Sequence, residues 1–495
     1  MKILFVFKSE NFLVPIGLCA ISEVARHEGH EVYLSEMNSE DPLEHIAQLK
    51  PDVVAYSSST GEAKHYIRLN QRLKERFPHV FTIMGGPHPT FYPDMIHETT
   101  LDAICIGEGE EVFADVLRSL SSGNTVSGIP NIFTKTDTSF TVRNLVEDLD
   151  SLPFPDYSLL YDNTEMGEYP LKSFMASRGC PYNCTYCFNT AWRKIYSGRG
   201  KVVRRHSVDY VIEDIRKVKE RWPLSNIKFQ DDIFTYRADD WLEEFSRKYK
   251  QHIGLPLFIL TRCDLLTEDM VKILKHAGCR TISMSIEAGN PKIRSEILKR
   301  RMSDEQIIAA HRLCEKYGIS TFTNCILGLP ETTIADDIQS LDLCLKSRVT
   351  WAEFPIFYPF PKTELGDQAI NLGMYTPDYD KMHTSCMSVS LLNCFSDKEK
   401  KVQLNMGMLA SVAVVLPWLR NLIVNHLTYW PPNKLFTFAY WLAKNYTLRR
   451  RIYVTMTTRR ESFRIYMRSL RQELFRHTLE EELPESNKPS NPVTK

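Results

Sequence analysis

The chain has 495 residues, too many for one ordinary domain, and its 43% hydrophobic and 25% charged content is that of a globular protein with a substantial core. Its 61 basic and 61 acidic residues cancel, so charge gives no general pull toward nucleic acid or an anionic membrane. The opening MKILFVF runs at once into Lys8, Ser9 and Glu10; it lacks the long apolar region of an export signal and is expected to be a buried first strand. The longest later apolar stretch, Met408–Trp418, is short of the roughly 18 residues that suggest a membrane span. The twelve cysteines are therefore expected in a reducing cytoplasm, as thiols or metal ligands and not as disulfides.

Residues 1–125 alternate between strand and helix patterns. Strands are predicted at Lys2–Phe7, Glu31–Ser35, Asp52–Ser57, Phe81–Met84 and Ala103–Ile106. Ile16, Ala20, Ile21, Val24 and Ala25 follow a helical spacing that stops near Gly29. This is α/β patterning, and it predicts a doubly wound, Rossmann-like (flavodoxin-like) parallel sheet. Ligands of such sheets bind at the carboxyl ends of the strands, where Ser57–Gly61, Gly85–Thr90 and Gly107–Glu110 lie. Residues 126–170 read as a connector with little periodicity.

A second alternating region spans 171–365. Strands are predicted at Phe174–Ser177, Ile227–Gln230, Phe258–Thr261, Thr281–Glu287 and Thr321–Leu327. Val208, Val211, Ile212, Ile215 and Val218 form a helical stripe behind a Ser207 cap; Ser303 and Gln306 form a capping box for a helix stopped by Gly318. Repeated β–α units predict a partial (β/α) TIM-like barrel with its chemistry at the strands' C-terminal ends. From 366 to 480 the rhythm is helical, interrupted at Tyr429–Asn433, and Arg449–Arg476 is basic with interleaved aromatics. Residues 481–495 are polar and expected to be disordered.

The run SRGCPYNCTYCFN places Cys180, Cys184 and Cys187 at CxxxCxxC spacing just after a predicted strand. Zinc sites usually show cysteine pairs, which this spacing does not. A four-iron cluster usually takes four cysteines, and the next cysteine is as far away as Cys263. Three ligands leave one iron open to bind and activate something, as in an open catalytic metal site. The nine other cysteines, Cys279, Cys314 and Cys325 among them, read as small buried hydrophobes.

These residues resemble the radical S-adenosylmethionine (SAM) superfamily, whose CxxxCxΦC motif fits Cys180, Cys184, Tyr186 and Cys187. The resemblance implies a [4Fe–4S] cluster on the three cysteines, SAM on the open iron and the Tyr186 backbone near the adenine. Gln230, Asp231 and Asp232 in FQDDIFT match the carboxylate position that takes a hydrogen bond from the SAM amino group. Glu287 and Gly289 in SIEAGN match the segment at the SAM ribose or methionine end. Ile326, Gly328 and Glu331 in NCILGLPET match the adenine-side motif, with Asn324 where that motif has its first glycine. The resemblance covers residues 171–365.

The first domain resembles the cobalamin-binding domains fused to one radical SAM subclass. VVAYSSSTGE, MGGPHPT and ICIGEGE carry the likeness, with Ser57, Ser58, Ser59, Gly85, Gly86, His88, Gly107, Glu108 and Gly109 as candidate cobalamin contacts. The DxHxxG motif is absent, since Phe12 and Val14 stand at its Asp and His positions. Cobalamin is thus expected without a protein histidine ligand, and His88 is expected to make a hydrogen bond instead.

The resemblance implies an enzyme, a cobalamin-dependent methyltransferase acting on an unactivated carbon through a 5′-deoxyadenosyl radical. Two alternatives stay open: a cobalamin-associated cyclisation, ring contraction or carbon–carbon coupling, and a non-enzymatic iron–sulfur protein for electron transfer or sensing. The expected partners are a small-molecule or lipid substrate and an electron donor such as flavodoxin or ferredoxin, with no nucleic acid. The C-terminal region is expected to cap the substrate cavity or, on the sharper reading, to contact a membrane peripherally.

Overall fold

The computed structural model describes residues 1–8, 14–383 and 387–453. Most of the basic segment Arg449–Arg476 and the whole of the expected disordered tail lie outside the described residues.

The first sheet contains β1 (Lys2–Phe7), β2 (Glu31–Glu36), β3 (Val53–Ser57), β4 (Phe81–Gly85), β5 (Ala103–Cys105) and β6 (Ile132–Thr134). Their order is β2-β1-β3-β4-β5-β6. The first five are parallel and β6 runs antiparallel on β5. This is the flavodoxin-like order, which reverses between β1 and β3 and opens a crevice there. Both faces are covered, as the unbroken apolar run of β1 requires. Leu4 and Val6 meet the helices Pro42–Leu49 and Ala63–Arg76. Phe5 faces the other way, toward Ile16–His27 and Glu110–Ser121. β6 falls inside the expected connector. Three residues are too few to show a period, which is why sequence patterning passes over it.

The second sheet contains β7 (Leu171–Phe174), β10 (Asn226–Phe229), β11 (Leu257–Leu260), β12 (Cys279–Ser283), β13 (Ser320–Asn324) and β14 (Trp351–Glu353). They pair in chain order, all parallel, as an open six-stranded partial barrel. β8 (Ser177–Arg178) and β9 (Arg204–Arg205) form a separate antiparallel pair. The outer helices start where their caps dictate. Ser207 accepts from the Tyr210 N–H, and Ser303 and Gln306 close a capping box.

Two strand predictions shift. The strand expected at Phe174–Ser177 ends at Phe174, because the Ala176 N–H goes to the Asp231 carboxylate and not to a neighbouring strand. The strand expected at Thr281–Glu287 ends at Ser283, and Glu287 turns with φ of 68°. Of the nine other cysteines, Cys19, Cys105, Cys263, Cys279, Cys314, Cys325 and Cys344 are buried as expected, Cys394 is exposed, which corrects the expectation there, and Cys386 lies outside the described residues.

The long C-terminal helix Asp397–Val415 packs against β14 and against the helices Ile334–Ser347 and Lys434–Thr447. Twelve of its 19 residues are buried, so it carries no single apolar stripe. Among the described residues no helix is long and apolar enough to cross a membrane.

Candidate active site

Cys180, Cys184 and Cys187 occupy the segment between β8 and the helix Phe188–Ile195. The segment is fixed at its root. Asp231, fully buried, accepts from the Ala176 N–H at 3.2 Å and the Ser177 hydroxyl at 2.5 Å. The Tyr236 hydroxyl donates to the Gly179 carbonyl at 3.2 Å. Gly179 has φ of 85°, and a Cβ there would come within 2.2 Å of the Val202 carbonyl oxygen. Farther along, the Thr185 hydroxyl donates to the Ile297 carbonyl at 2.7 Å, tying the segment to the far side of the barrel.

Two arginines converge on the middle thiol. Nη1 of Arg262 and of Arg300 each lie 3.9 Å from Cys184 Sγ. Both arginines are buried. Their charge suits a sulfur-rich anionic group. Burial pushes the Cys187 thiol up to about 12, and Asp232 and Cys184 add to the effect. Burial and Asp232 raise the Cys180 thiol as well. Thiolates at these positions therefore need a cation, which a bound metal cluster supplies. Among the described residues no three His, Cys, Asp or Glu side chains are grouped to hold a single metal ion. A tetrahedral zinc site with bonds of about 2.3 Å needs sulfurs roughly 3.8 Å apart.

A polar shelf lies beside Cys184. The Tyr186 hydroxyl donates to Glu287 at 2.8 Å, and Arg300 donates to that hydroxyl at 3.4 Å and to the Ser285 carbonyl at 2.7 Å. Burial raises the Glu287 carboxyl above its ordinary value, with Arg300 opposing. Ile326 donates its N–H to the Glu287 carbonyl at 2.8 Å and packs in the same apolar cluster as Tyr186. Arg300 Nε and Gln230 Nε2 are buried without a hydrogen-bond partner. A buried donor left so is costly, and a polar ligand would relieve it.

On the other side of the cysteine segment lies a cavity of about 580 Å³, walled by both sheets. Ser57, Gly85, Gly86, Gly107, Glu108 and Gly109 line it from the carboxyl ends of β3, β4 and β5. Arg178, Gly179, Phe188, Asn189, Gln230 and Asp232 line it from the barrel. The glycines make the cradle. A Cβ on Gly86 (φ 97°) would sit 2.8 Å from the Ser58 backbone, and one on Gly107 (φ 85°) would sit 1.9 Å from the Tyr196 hydroxyl. This broad wall with little side chain fits a large flat cofactor.

Charge joins the two halves. Glu108 takes both Nη atoms of Arg204, at 2.5 and 3.0 Å, and Arg178 at 3.3 Å. Arg178 also binds Glu110 at 2.6 Å. Burial pushes the Glu110 carboxyl up, but Arg178 and Arg204 outweigh it and hold it below its ordinary value.

Several expected contacts are not on these walls. Asp231 serves the loop root, as above. Gly289 faces the helix Ile334–Ser347, where a Cβ would meet the Gln339 carbonyl at 2.2 Å. Gly328 turns with φ of 64° and donates to Asp337 at 3.1 Å. Glu331 is exposed and accepts from Gln368 at 3.1 Å. Ser58 is buried, with its backbone bonded to Gly85 and His88; Ser59 is exposed and bonds Glu62. His88 does not line the cavity. It is buried beside Tyr92 and Tyr379, its Nδ1 has no partner, and burial lowers its pKa to about 4. Its backbone N–H donates to the Ser58 carbonyl at 3.0 Å. Sequence reading missed Arg178, Arg204, Arg262 and Arg300, because an arginine far along the chain carries no motif that marks it as buried.

The Radical SAM superfamily profile matches residues 175–344, and the B12 binding domain profile matches residues 3–117. An uncharacterised methyltransferase of Pyrococcus horikoshii is 27% identical over 398 residues, which are 78% of this chain and 84% of that protein. The hopanoid C-3 methylase of Methylococcus capsulatus is 27% identical over 327 residues, 63% of this chain and 61% of that protein. The fold matches that of the radical SAM methyltransferase TsrM from Kitasatospora setae, solved with cobalamin and a [4Fe–4S] cluster, at a TM-score of 0.64 and 14% identity over 95% of this chain and 98% of that one. The two matched domains imply a [4Fe–4S] cluster, SAM and cobalamin as the cofactors. The chain belongs to the radical SAM enzymes that carry a B12-binding domain ahead of their catalytic core.

Proposed function

We propose that this enzyme methylates an unactivated carbon of a small molecule. The observation that carries the reading is a cavity walled both by the glycine cradle and by Gly179, Phe188 and Asn189, which flank the cysteine segment. When bound, the three cofactors supply one-electron cleavage of SAM and a transferable methyl group. The relatives' names as methyltransferase and methylase support the same reaction class.

The chain's own residues divide the work. Cys180, Cys184 and Cys187 are the cluster ligands, and Arg262 and Arg300 offset the charge at Cys184. Glu287, held by Tyr186, and Asp232, raised above its ordinary value by burial, are acceptors for the ammonium of SAM. Ile326 is the apolar contact for the adenine. Ser57, Gly85, Gly86, Gly107 and Gly109 seat the cobalamin, and the Arg178–Glu108–Arg204 network holds that seat against the hairpin. Phe188 and Trp192, on the helix after the cysteines, line the same cavity and exclude water from it. The reading includes a cytoplasmic setting and a flavodoxin- or ferredoxin-type electron donor.

The test is anaerobic turnover with SAM, reductant and cobalamin. Methyl transfer predicts 5′-deoxyadenosine and S-adenosylhomocysteine together, and a product heavier by one methylene. Turnover that yields 5′-deoxyadenosine with no S-adenosylhomocysteine overturns methyl transfer in favour of radical rearrangement or coupling.

A further inference from the structure

The C-terminal helices expose an apolar face that the active site does not use. Eleven large hydrophobic side chains stand exposed among the described residues, and nine of them fall between Leu416 and Tyr446. Four form one stripe. Leu435, Phe438, Leu442 and Tyr446 recur every three or four residues on the helix Lys434–Thr447 and are 39–69% exposed. The opposite side of that helix buries Phe436, Tyr440 and Trp441 in the core. A helix on a protein surface normally turns a polar face outward, and this one does not. Trp418 and Trp430, 76% and 56% exposed, lie in the segments just before it.

Along the chain, the charge of this segment has one sign. The sequence holds no Asp or Glu from residue 400 to residue 460, although the whole chain is neutral. The stripe starts at Lys434 and runs into Arg449, Arg450 and Arg451 at the helix's C-terminal end. Arg450 stands over the Tyr446 ring, 4.7 Å from its centroid.

We propose that this face docks on an anionic lipid bilayer, with the Leu435–Tyr446 stripe in the interface and Lys434 and Arg449–Arg451 at the headgroups. Exposed aliphatic and aromatic side chains in a segment that carries cations and no carboxylate of its own are what an anionic headgroup layer complements. A second copy of the chain fits less well, because a two-fold contact would set the same cations against each other. Among the described residues no helix is long and apolar enough to cross a membrane, and the proposed contact is a peripheral one.

The test is flotation of the cofactor-loaded full chain with phosphatidylcholine vesicles, with and without phosphatidylglycerol. The wild type is expected to rise with the anionic vesicles and to be released by high salt. The variant Leu435→Glu/Leu442→Glu and the variant Lys434→Glu/Arg450→Glu should each bind roughly tenfold more weakly. All four positions are exposed, so cluster absorbance and circular dichroism should match the wild type. Absence of binding to anionic vesicles overturns the proposal, as does equal binding by wild type and variants. A dimer that Leu435→Glu/Leu442→Glu dissociates, without vesicle binding, also overturns it and assigns the face to a second copy.

Discussion

Replacing Glu108 with alanine should loosen the seam between the two halves of the active site. Among the described residues Glu108 is the only carboxylate that binds Arg204, through both Nη atoms, and the Arg204 side chain is 2% exposed. Without it, Arg204 keeps only the Val146 carbonyl at 2.6 Å. Removing one partner of a buried pair costs about 3–5 kcal/mol. The lower end applies here, because Arg178 retains Glu110 and Arg204 retains that carbonyl. We expect a loss of about 3 kcal/mol, confined to the seam. Hydrogen exchange at the amides of Arg178, Gly179 and Gly107–Glu110 reads it directly, since local opening reports local stability. Protection there should fall by about two orders of magnitude, at 1.4 kcal/mol per factor of ten, while β1 and β12 stay protected. The double variant Glu108→Ala/Arg204→Met should recover much of the loss, because no unpaired charge is left buried. A change below about 1 kcal/mol would mean that water screens the network as at an exposed site, and would refute the reasoning.

Three further outcomes follow from the same geometry. Gly107→Ala drives a Cβ into the Tyr196 hydroxyl at a positive φ; cobalamin uptake, read by its visible absorbance, should drop about tenfold or more while the cluster spectrum persists. Asp231 has its carboxyl raised by burial to about 6 in the folded chain, so the stability this gives is full below about pH 4 and is lost as pH rises through 6. Asp231→Asn should flatten that part of the pH–stability curve, by roughly 3 kcal/mol at most, and a wild-type curve already flat between pH 4 and 7 contradicts the assignment. Arg300→Met leaves buried Glu287 with only the weaker influence of Arg262; the electron paramagnetic resonance signal of the reduced cluster should shift, and the SAM-induced change in that signal should weaken.

Much of the fold was legible because its elements carry local signals. β1 is an unbroken apolar run, Ser207 and the Ser303–Gln306 box mark helix starts, and Gly318 marks a stop. What escaped depended on partners distant in the chain. β6 is too short to have a period. β7 ends early because Asp231, 55 residues from Ala176, takes its N–H. In the site, the cysteine spacing and the glycines at strand ends were readable, since each is a local pattern. Asp231, Gly289, Gly328 and Glu331 match motif positions, yet their side chains or Cβ directions face loops and helices. Arg262 and Arg300 reach Cys184 across 78 and 116 residues, a relation that only the folded partial barrel creates.

The most direct test is the iron content and Mössbauer spectrum of the anaerobically reconstituted chain beside its Cys180→Ala, Cys184→Ala and Cys187→Ala variants, each with and without SAM. The account predicts a four-iron cluster with one iron site altered by SAM in the wild type and lost in every variant. A cluster that survives all three substitutions, or four equivalent irons that SAM leaves unchanged, would contradict it.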